Sequence, residues 1–409
     1  MKTYKNLFEP MLDPEMVRDC ALDAAEGKIK RPDVFNFFVH FDRNYEFIIK
    51  CANDPDFRPL SCNNHYIIDG ANHKERLIEK PNFCPEQVLH HMLIETFKPV
   101  LLNGLYEHVY GCLPPSAKMS VKGVIIERKY GPHSAYKQLI KWVRVNDKRY
   151  VCETDIHHAY ASVYLPKLIA MLKRVIKDDK WINLMCKFLE ADANSSEDHD
   201  IKKDYGLVLG HYTSPWLFNF YLKEFDHFMA SYPDIKYLRF ADNMFLVGPN
   251  KRKMHKALDD MREYLRSELH LELNKCTQIY RFEYFDKKRN KVRGRAINAL
   301  GFIIHYNRVT LRKHILRGVR RKATKLNKKE NHTWHDASSM LSRLAWTKCT
   351  DTYNYFLKYI KPLVRVGRLK KLISKTGKMF NHTSSERRSL INDYLGKSHW
   401  LSDGETSGI

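Results

Sequence analysis

The spacing of apolar and polar positions divides the chain into a helical start, a centre where strands and helices alternate, and a helical end. Residues 1 to about 60 read as helical and irregular, punctuated by Pro10, Pro14, Pro32, Pro55 and Pro59. The strand-like HYIIDG (65–70), a turn at Ala71–His73 and KERLIE (74–79) predict a hairpin that Pro81 ends. Residues 84–111 carry Val88, Met92 and Phe97 at helical spacing, which predicts one broken helix. VKGVIIERKYG (121–131) is a strand entering a basic turn, and residues 132–145 form a helix with Pro132 near its start.

The centre then alternates. RYVCETDIHHAY (149–160) is a strand leading into a turn, and residues 165–176 and 181–191 are helical. A loop holding Gly206 and Gly210 precedes a helix from about Thr213 to Ser231. IKYLRFADNMFLVG (235–248) is two apolar strands around a tight polar turn, followed by an amphipathic helix over 251–269. LELNKCTQIY (271–280) returns as a strand, and 296–312 reads as another hairpin. The order β-α-α-β-β-α-β suggests a split βαβ sheet with helices on one face. After Arg312 the pattern is helical and basic.

Composition sharpens this picture in one respect. A chain of 409 residues exceeds a single compact core, so two or three sub-domains are expected. The formal net charge of +23 attracts polyanions, of which nucleic acid is the commonest. Between Arg312 and Lys375 stand 18 Lys or Arg against Glu330, Asp336 and Asp351, so the charge is clustered. Clustering favours a phosphate-facing surface over a merely soluble basic protein. The nine cysteines include no CxxC pair, which speaks against zinc or a disulfide scaffold and for buried thiols in a reducing cytoplasm. Charges interrupt the N-terminal run MKTYKNLFEPMLDPEM, and no stretch nears the roughly 20 apolar residues of a spanning helix. The expectation is therefore a cytoplasmic protein with no membrane partner.

The chemistry centres on RFADNMFLVG. An acidic residue between apolar strands is costly to bury unless it is paired or metal-bound. Asp242 and Asn243 fall at the apex, although an ordinary Ala-Asp-Asn turn gives the same pattern. Asp155 follows the strand VCET in the same fashion, 87 positions earlier. Strands lying side by side would bring both carboxylates to one sheet edge. Two such groups repel unless a divalent cation neutralises them, and oxygen ligands suit Mg²⁺. Two-metal phosphoryl transfer needs that arrangement.

The ordered set DIHHAY (155–160), GLVLGHYTSP (206–215), RFADNMFLV (239–247), LNKCTQ (273–278) and ALGF (299–302) resembles the successive palm motifs of reverse transcriptases. Upstream, KERLIEKP (74–81) and GVIIERKYGPHSAYK (123–137) resemble the fingers segments of bacterial members. The resemblance implies an α+β, right-hand polymerase: fingers, a palm with a split βαβ antiparallel sheet, and a helical basic thumb. The divisions expected are an N-terminal helical extension (1–60), fingers (61–150), palm (151–312, with a fingers insert around 165–205), thumb (313–399) and a tail (400–409). RNA-directed DNA synthesis is the implied activity.

On that resemblance Asp155 and Asp242 bind two Mg²⁺ ions (Mn²⁺ as the alternative), with the Ile156 carbonyl completing one coordination sphere. Tyr160 takes the position of a steric gate that favours dNTPs, against the plainer reading of a core tyrosine. Gly210 lets the backbone approach the templating base pair. Lys275 protonates the departing pyrophosphate, unless it is a solvated surface lysine. Lys74, Arg76, Arg128 and Lys129 are candidates for the triphosphate, of which about two would touch it. In the thumb Arg320, Arg321, Lys325, Lys358 and Arg365 would meet nucleic acid, with aromatics interleaved. The partners implied are template RNA (a dedicated noncoding RNA among the candidates), nascent DNA, dNTPs, and an accessory protein or a second copy.

Two departures stand out. The family usually shows Tyr-x-Asp-Asp at the hairpin, whereas this chain has Phe240-Ala241-Asp242-Asn243. Bacterial members mostly resemble Gln-Gly-x-x-x-Ser-Pro at the loop, and diversity-generating retroelement enzymes an apolar residue then Gly-x-x-x-Ser-Gln. Here Leu209 is apolar yet Pro215 is proline, a hybrid. The altered hairpin tips the expectation towards antiviral defence rather than sequence diversification. A weakly active RNA-binding scaffold and a template-independent nucleotidyl transferase on the same fold stay open.

Overall fold

A computed structural model describes residues 2–29, 31–60, 63–68, 75–121, 124–145, 148–195 and 204–377. Lys74, the turn at 71–73, much of the polar run 191–200 and the tail from residue 400 lie outside the described residues. In chain order the helices are α1 Phe8–Met11, α2 Pro14–Ala24, α3 Pro32–Val39, α4 Phe41–Asn53, α5 Val88–Leu102, α6 Pro132–Val143, α7 Leu165–Val175 and α8 Asp179–Ser195. They continue as α9 Ser214–Tyr221, α10 Lys223–Ala230, α11 Lys251–Leu269, α12 Lys313–Asn327, α13 Trp334–Lys348, α14 Tyr353–Tyr359 and α15 Val366–Gly377. The strands are β1 Asn63–Ile68, β2 Glu75–Lys80, β3 Ser116–Val121, β4 Val124–Lys129, β5 Tyr150–Asp155, β6 Lys236–Phe240 and β7 Asn243–Gly248. Short strands follow: β8 Gln278–Arg281, β9 Tyr284–Asp286, β10 Lys291–Arg293, β11 Ile297–Ala299, β12 Phe302–Ile304 and β13 Val309–Leu311.

Four strands in the order β6-β7-β5-β8, each pair antiparallel, make the central sheet. This is the split βαβ arrangement: β5 is interior, the β6-β7 hairpin follows helices α7 to α10, and α11 returns the chain to the far edge. Strand β7 is almost wholly buried, as its run Met-Phe-Leu-Val requires. Helix α11 packs on β5, β7 and β8, and α10 and α6 pack on β6. Its ends are local chemistry: the Asn250 side chain accepts from the backbone N–H of Arg252 and Lys253, and His270 stops it in the left-handed region (φ +52°).

Residues 1–60 share a single apolar core with this sheet's helices. Asp178 accepts from the N–H groups of Leu7 (2.7 Å) and Phe8 (2.9 Å), and α2 packs on α5. The C-terminal helices have a core of their own, built from Val319, Ala323, Leu326, Met340, Leu344 and Leu369 among others. Aromatic contacts join the two through Trp346, whose ring stacks on Phe302 with centroids 5.2 Å apart.

Three expectations about elements need correction. The helix expected over 84–111 ends at Leu102, because Gly104 takes φ +74° and residues 108–110 then run beside β6. The strand expected over 271–280 is paired with β5 only over 278–281. Instead of one hairpin, 296–312 forms a three-stranded meander, β11-β12-β13. A further hairpin, β9-β10, went unread within YFDKKRNKVR, where charge hides the alternation.

Candidate active site

The strand register brings the two aspartates together. Asp155, last residue of β5, pairs across the sheet with Asn243, and the Ile156 N–H donates to the Asp242 carbonyl (3.3 Å). Asp242 occupies the two-residue turn between β6 and β7, with Ala241 before it at φ +54°. A non-glycine residue in that region needs support from its surroundings. Both aspartates are half-buried.

Each carboxylate has an asparagine amide beside it. Asn243 Nδ2 donates to Asp242 Oδ1 at 2.8 Å, and Asn274 Nδ2 reaches Asp155 Oδ2 at 3.3 Å. The Asn274 backbone N–H also donates to the Asp155 carbonyl (2.8 Å), so the LNKC segment is tied to the site twice. Sequence reasoning missed Asn274; its place beside Lys275 in the same motif was the available signal. Among the described residues no three His, Cys, Asp or Glu side chains gather. The neighbouring ladder bonds run from His157 N–H to the Glu272 carbonyl and from Asn274 N–H to that of Asp155; the oxygens that could hold a metal here are those of the two carboxylates and the Ile156 carbonyl. These are oxygen donors alone, and they fit a hard divalent cation.

Beneath the turn lies an ion pair with no solvent exposure. Arg239 forks onto Asp226 (Nε to Oδ1 2.7 Å, Nη2 to Oδ2 2.6 Å), and Tyr237 donates to the same carboxylate at 2.9 Å. Burial opposes the guanidinium charge, but the Asp226 carboxylate holds the Arg239 pKa above its usual value. The remaining Nη1 donates to the Ala241 carbonyl (3.1 Å) and to Asn219 Oδ1 (2.8 Å). Asn219 in turn donates to the carbonyls of Gly111 and Cys112, both at 3.1 Å. A Cβ on Gly111 would sit 2.3 Å from the Ala241 nitrogen, so only glycine lets this segment pass under the turn. Gly111, Asn219, Asp226 and the buried role of Arg239 carry no local signal, because their partners are distant in the sequence.

The same network reaches Tyr160. Its ring stacks on Phe218 (centroids 5.0 Å, 27°), and its hydroxyl lies 3.6 Å from Cys112 Sγ. Burial, with Cys112 next, pushes the Tyr160 pKa up, so the phenol stays neutral. Gly210 stands at φ +118° with the Glu79 carbonyl where a Cβ would be (2.1 Å), and the Glu79 N–H donates to the Leu209 carbonyl (2.9 Å). The close approach seen at Gly210 is therefore to strand β2. Below that loop His91 stacks on Tyr212 (3.8 Å, 4°), and His90 Nδ1 meets Thr213 Oγ1 (3.1 Å).

The cationic candidates separate into groups. Lys275 is exposed in the turn after Asn274. Arg128 is half-buried with Nη2 4.0 Å from Glu107, and Lys129 is exposed on the same strand. Arg76 sits on β2 opposite Ile67, its side chain outside the described residues. Arg320, Arg321 and Lys325 line one cavity of about 600 Å³ with Arg317, Arg343 and Tyr355. Arg320 and Lys358 both approach the Tyr359 ring (5.1 and 5.4 Å), whereas Arg365 is exposed ahead of α15 and outside that cavity. Of the thiols expected to be buried, Cys112, Cys276 and Cys349 are exposed.

An antiparallel split βαβ sheet, with two aspartates at neighbouring positions on adjacent strand ends, and a basic helical unit with its own core make the arrangement expected of the palm and thumb of a right-hand polymerase. Residues 118–304 match the family model described as reverse transcriptase (RNA-dependent DNA polymerase). Two matching relatives are the group II intron-encoded protein LtrA of Lactococcus lactis subsp. cremoris and of its strain MG1363. Each is 23% identical over 222 residues, covering 54% of this chain and 33% of its own length. The chain thus spans about a third of the curated relatives it matches. Among solved structures, apo telomerase from Candida tropicalis aligns with a TM-score of 0.43 and 10% identity over 87% of this chain and 73% of that one. Telomerase from Candida albicans, in complex with a telomeric RNA fragment, gives 0.40 and 12% over 80% and 60%.

Proposed function

We propose that the chain is an RNA-directed DNA polymerase whose Asp155 and Asp242 hold two divalent ions, Mg²⁺ before Mn²⁺. The observation that carries this reading is the pairing of Asp155 with Asn243, next to Asp242, within the segment that matches the reverse-transcriptase family model. When bound, the ions would activate the attacking hydroxyl and steady the leaving pyrophosphate. The chain's own residues do the rest: Asn243 and Asn274 orient the carboxylates, and Tyr160 restricts the sugar. Lys275, exposed in the turn next to Asn274, would supply a proton to pyrophosphate. Lys74, Arg76, Arg128 and Lys129 are the candidates for the triphosphate, of which about two would touch it, and Gly210 packs against the Glu79 carbonyl of β2. Arg320, Arg321, Lys325, Lys358 and Arg365 grip the template RNA and the nascent DNA.

Antiviral defence is the setting we favour, supported by the Asn243 hairpin and the Leu209–Pro215 hybrid, with a diversity-generating retroelement as the alternative. A cytoplasmic location accords with the unpaired thiols and with the lack, among the described residues, of a helix long and apolar enough to cross a membrane. A second reading, an RNA-binding scaffold of low activity, is favoured by the Asn243 amide bound to Asp242 Oδ1. The test is to purify the chain with its copurifying RNA, supply labelled dNTPs and Mg²⁺, and sequence the product. DNA complementary to the bound RNA supports templated synthesis. A product with no complement there supports the untemplated transferase, and no product supports the scaffold.

A further inference from the structure

Strand β8 leaves the catalytic end of the sheet. Its register against β5 runs from Glu153↔Gln278 to Tyr150↔Arg281, so it travels away from Asp155. Five residue steps along β5 separate Asp155 from Tyr150, roughly 17 Å at strand rise. The chain then continues outward: Phe282 N–H bonds the Arg149 carbonyl, and Arg295, returning from β10, bonds the Arg281 carbonyl. The β9-β10 hairpin therefore projects from the end of the palm opposite the two aspartates.

Its surface combines two features that stability does not require together. Phe285 and Val292 are directly paired across the hairpin, so they share one face, and each is 42% exposed. Tyr306 extends that face, its ring stacked with Phe285 at 6.4 Å and 23°. Around it residues 281–295 hold seven Lys or Arg against Glu283 and Asp286. Both acids are engaged: Glu283 bonds His305 (3.1 Å) and the Tyr306 N–H (3.0 Å), while Asp286 faces Arg289 (3.9 Å) and Arg293 (3.7 Å). Lys287, Lys288 and Lys291 stay exposed. Lysines on a bare ribbon also discourage edge-to-edge pairing, but that role leaves the exposed Phe285–Val292 face unexplained.

We propose that this hairpin is a second nucleic-acid contact, holding a single-stranded RNA segment outside the polymerase cleft. A base stacks on Phe285 beside Val292 and Tyr306, and phosphates meet Lys287, Lys288 and Lys291. Single strands are bound in this way, by rings that accept any base and cations that track the backbone. The excess positive charge selects a polyanion over an ordinary protein surface. RNA as the ligand rests on the polymerase reading, whereas catalysis does not enter.

The experiment measures binding of a labelled, unstructured oligoribonucleotide to the full chain across a salt series. Asp242→Ala serves as the background, so that loss of synthesis and loss of this contact are read separately. Lys287→Gln/Lys288→Gln/Lys291→Gln should lower the slope of log affinity against log salt by about 2, at about 0.7 per phosphate contact. Phe285→Ala should weaken binding on the order of tenfold with the slope kept, as for a lost stacking contact. A photoreactive residue at position 285 should crosslink to the RNA. Unchanged slope and affinity in variants with wild-type circular dichroism would overturn the proposal. So would a change confined to sedimentation, which would make the face a protein interface or a contact between copies.

Discussion

Asn243 donates its side-chain amide to Asp242 Oδ1 at 2.8 Å, one residue along the strand from the carboxylate it serves. Where relatives resemble a second aspartate, this chain places a neutral donor, so the site carries less negative charge and a more fixed Asp242. Asn243→Asp removes the donor and adds a charge. Half-maximal incorporation should then need less Mg²⁺, and melting without the ion should fall because like charges crowd. Asn243→Ala removes only the bond, and transition-state stabilisation should drop by about 1.5–3 kcal/mol, as for a hydrogen bond to a charged group. Mg²⁺ titrations of incorporation and of thermal melting read both effects.

The buried pair under the turn has a separate signature. Asp226→Ala leaves the Arg239 guanidinium uncompensated and should cost about 3–5 kcal/mol, measured by denaturant unfolding. Arg239→Lys cannot reproduce the fork or reach both Ala241 and Asn219. Its expected effect is a fall in kcat at near-constant KM, since the turn loses support while the nucleotide pocket stays.

Sugar selection should respond in two steps. Tyr160→Ala is expected to admit rNTPs, and competition between dNTP and rNTP incorporation measures it; unchanged selectivity would remove Tyr160 from the gate. Cys112→Ala removes the thiol 3.6 Å from the phenol and should relax selectivity partway, with Cys112→Ser restoring it.

Acid should weaken the fold through His90 and His91. Burial, then Lys28 and Lys98, lowers the His91 pKa to about 3, and burial, then His211 and His91, lowers that of His90. For a histidine held neutral in the fold, stability is fully present above the unfolded value of about 6.5 and is lost as pH falls below it. For His91 the loss should continue towards pH 3, each residue adding a slope of about 1.4 kcal/mol per pH unit. His91→Phe keeps a ring on Tyr212 and should flatten the pH dependence of the unfolding free energy.

Periodicity made α11 and the β6-β7 hairpin legible, because a long amphipathic helix and two apolar strands around a turn have few competing readings. It failed where pairing rather than local pattern decides. Leu271–Thr277 alternates like a strand, yet only Gln278 onward finds partners on β5. That Asp155 and Asp242 come to neighbouring positions was legible in order and spacing. The supports were not: Gly111 is required by Ala241, 130 positions later, and Asn219 by a carbonyl of Cys112. Such residues become visible only when the chain is folded.

The central claim is that Asp155 and Asp242 together support DNA synthesis on RNA. Primer extension on a defined RNA template, with labelled dNTPs and Mg²⁺, should give complementary DNA with the wild type and none with Asp155→Ala or Asp242→Ala, both folded by circular dichroism. Equal product from the wild type and the two variants, or none from any of them, would contradict it.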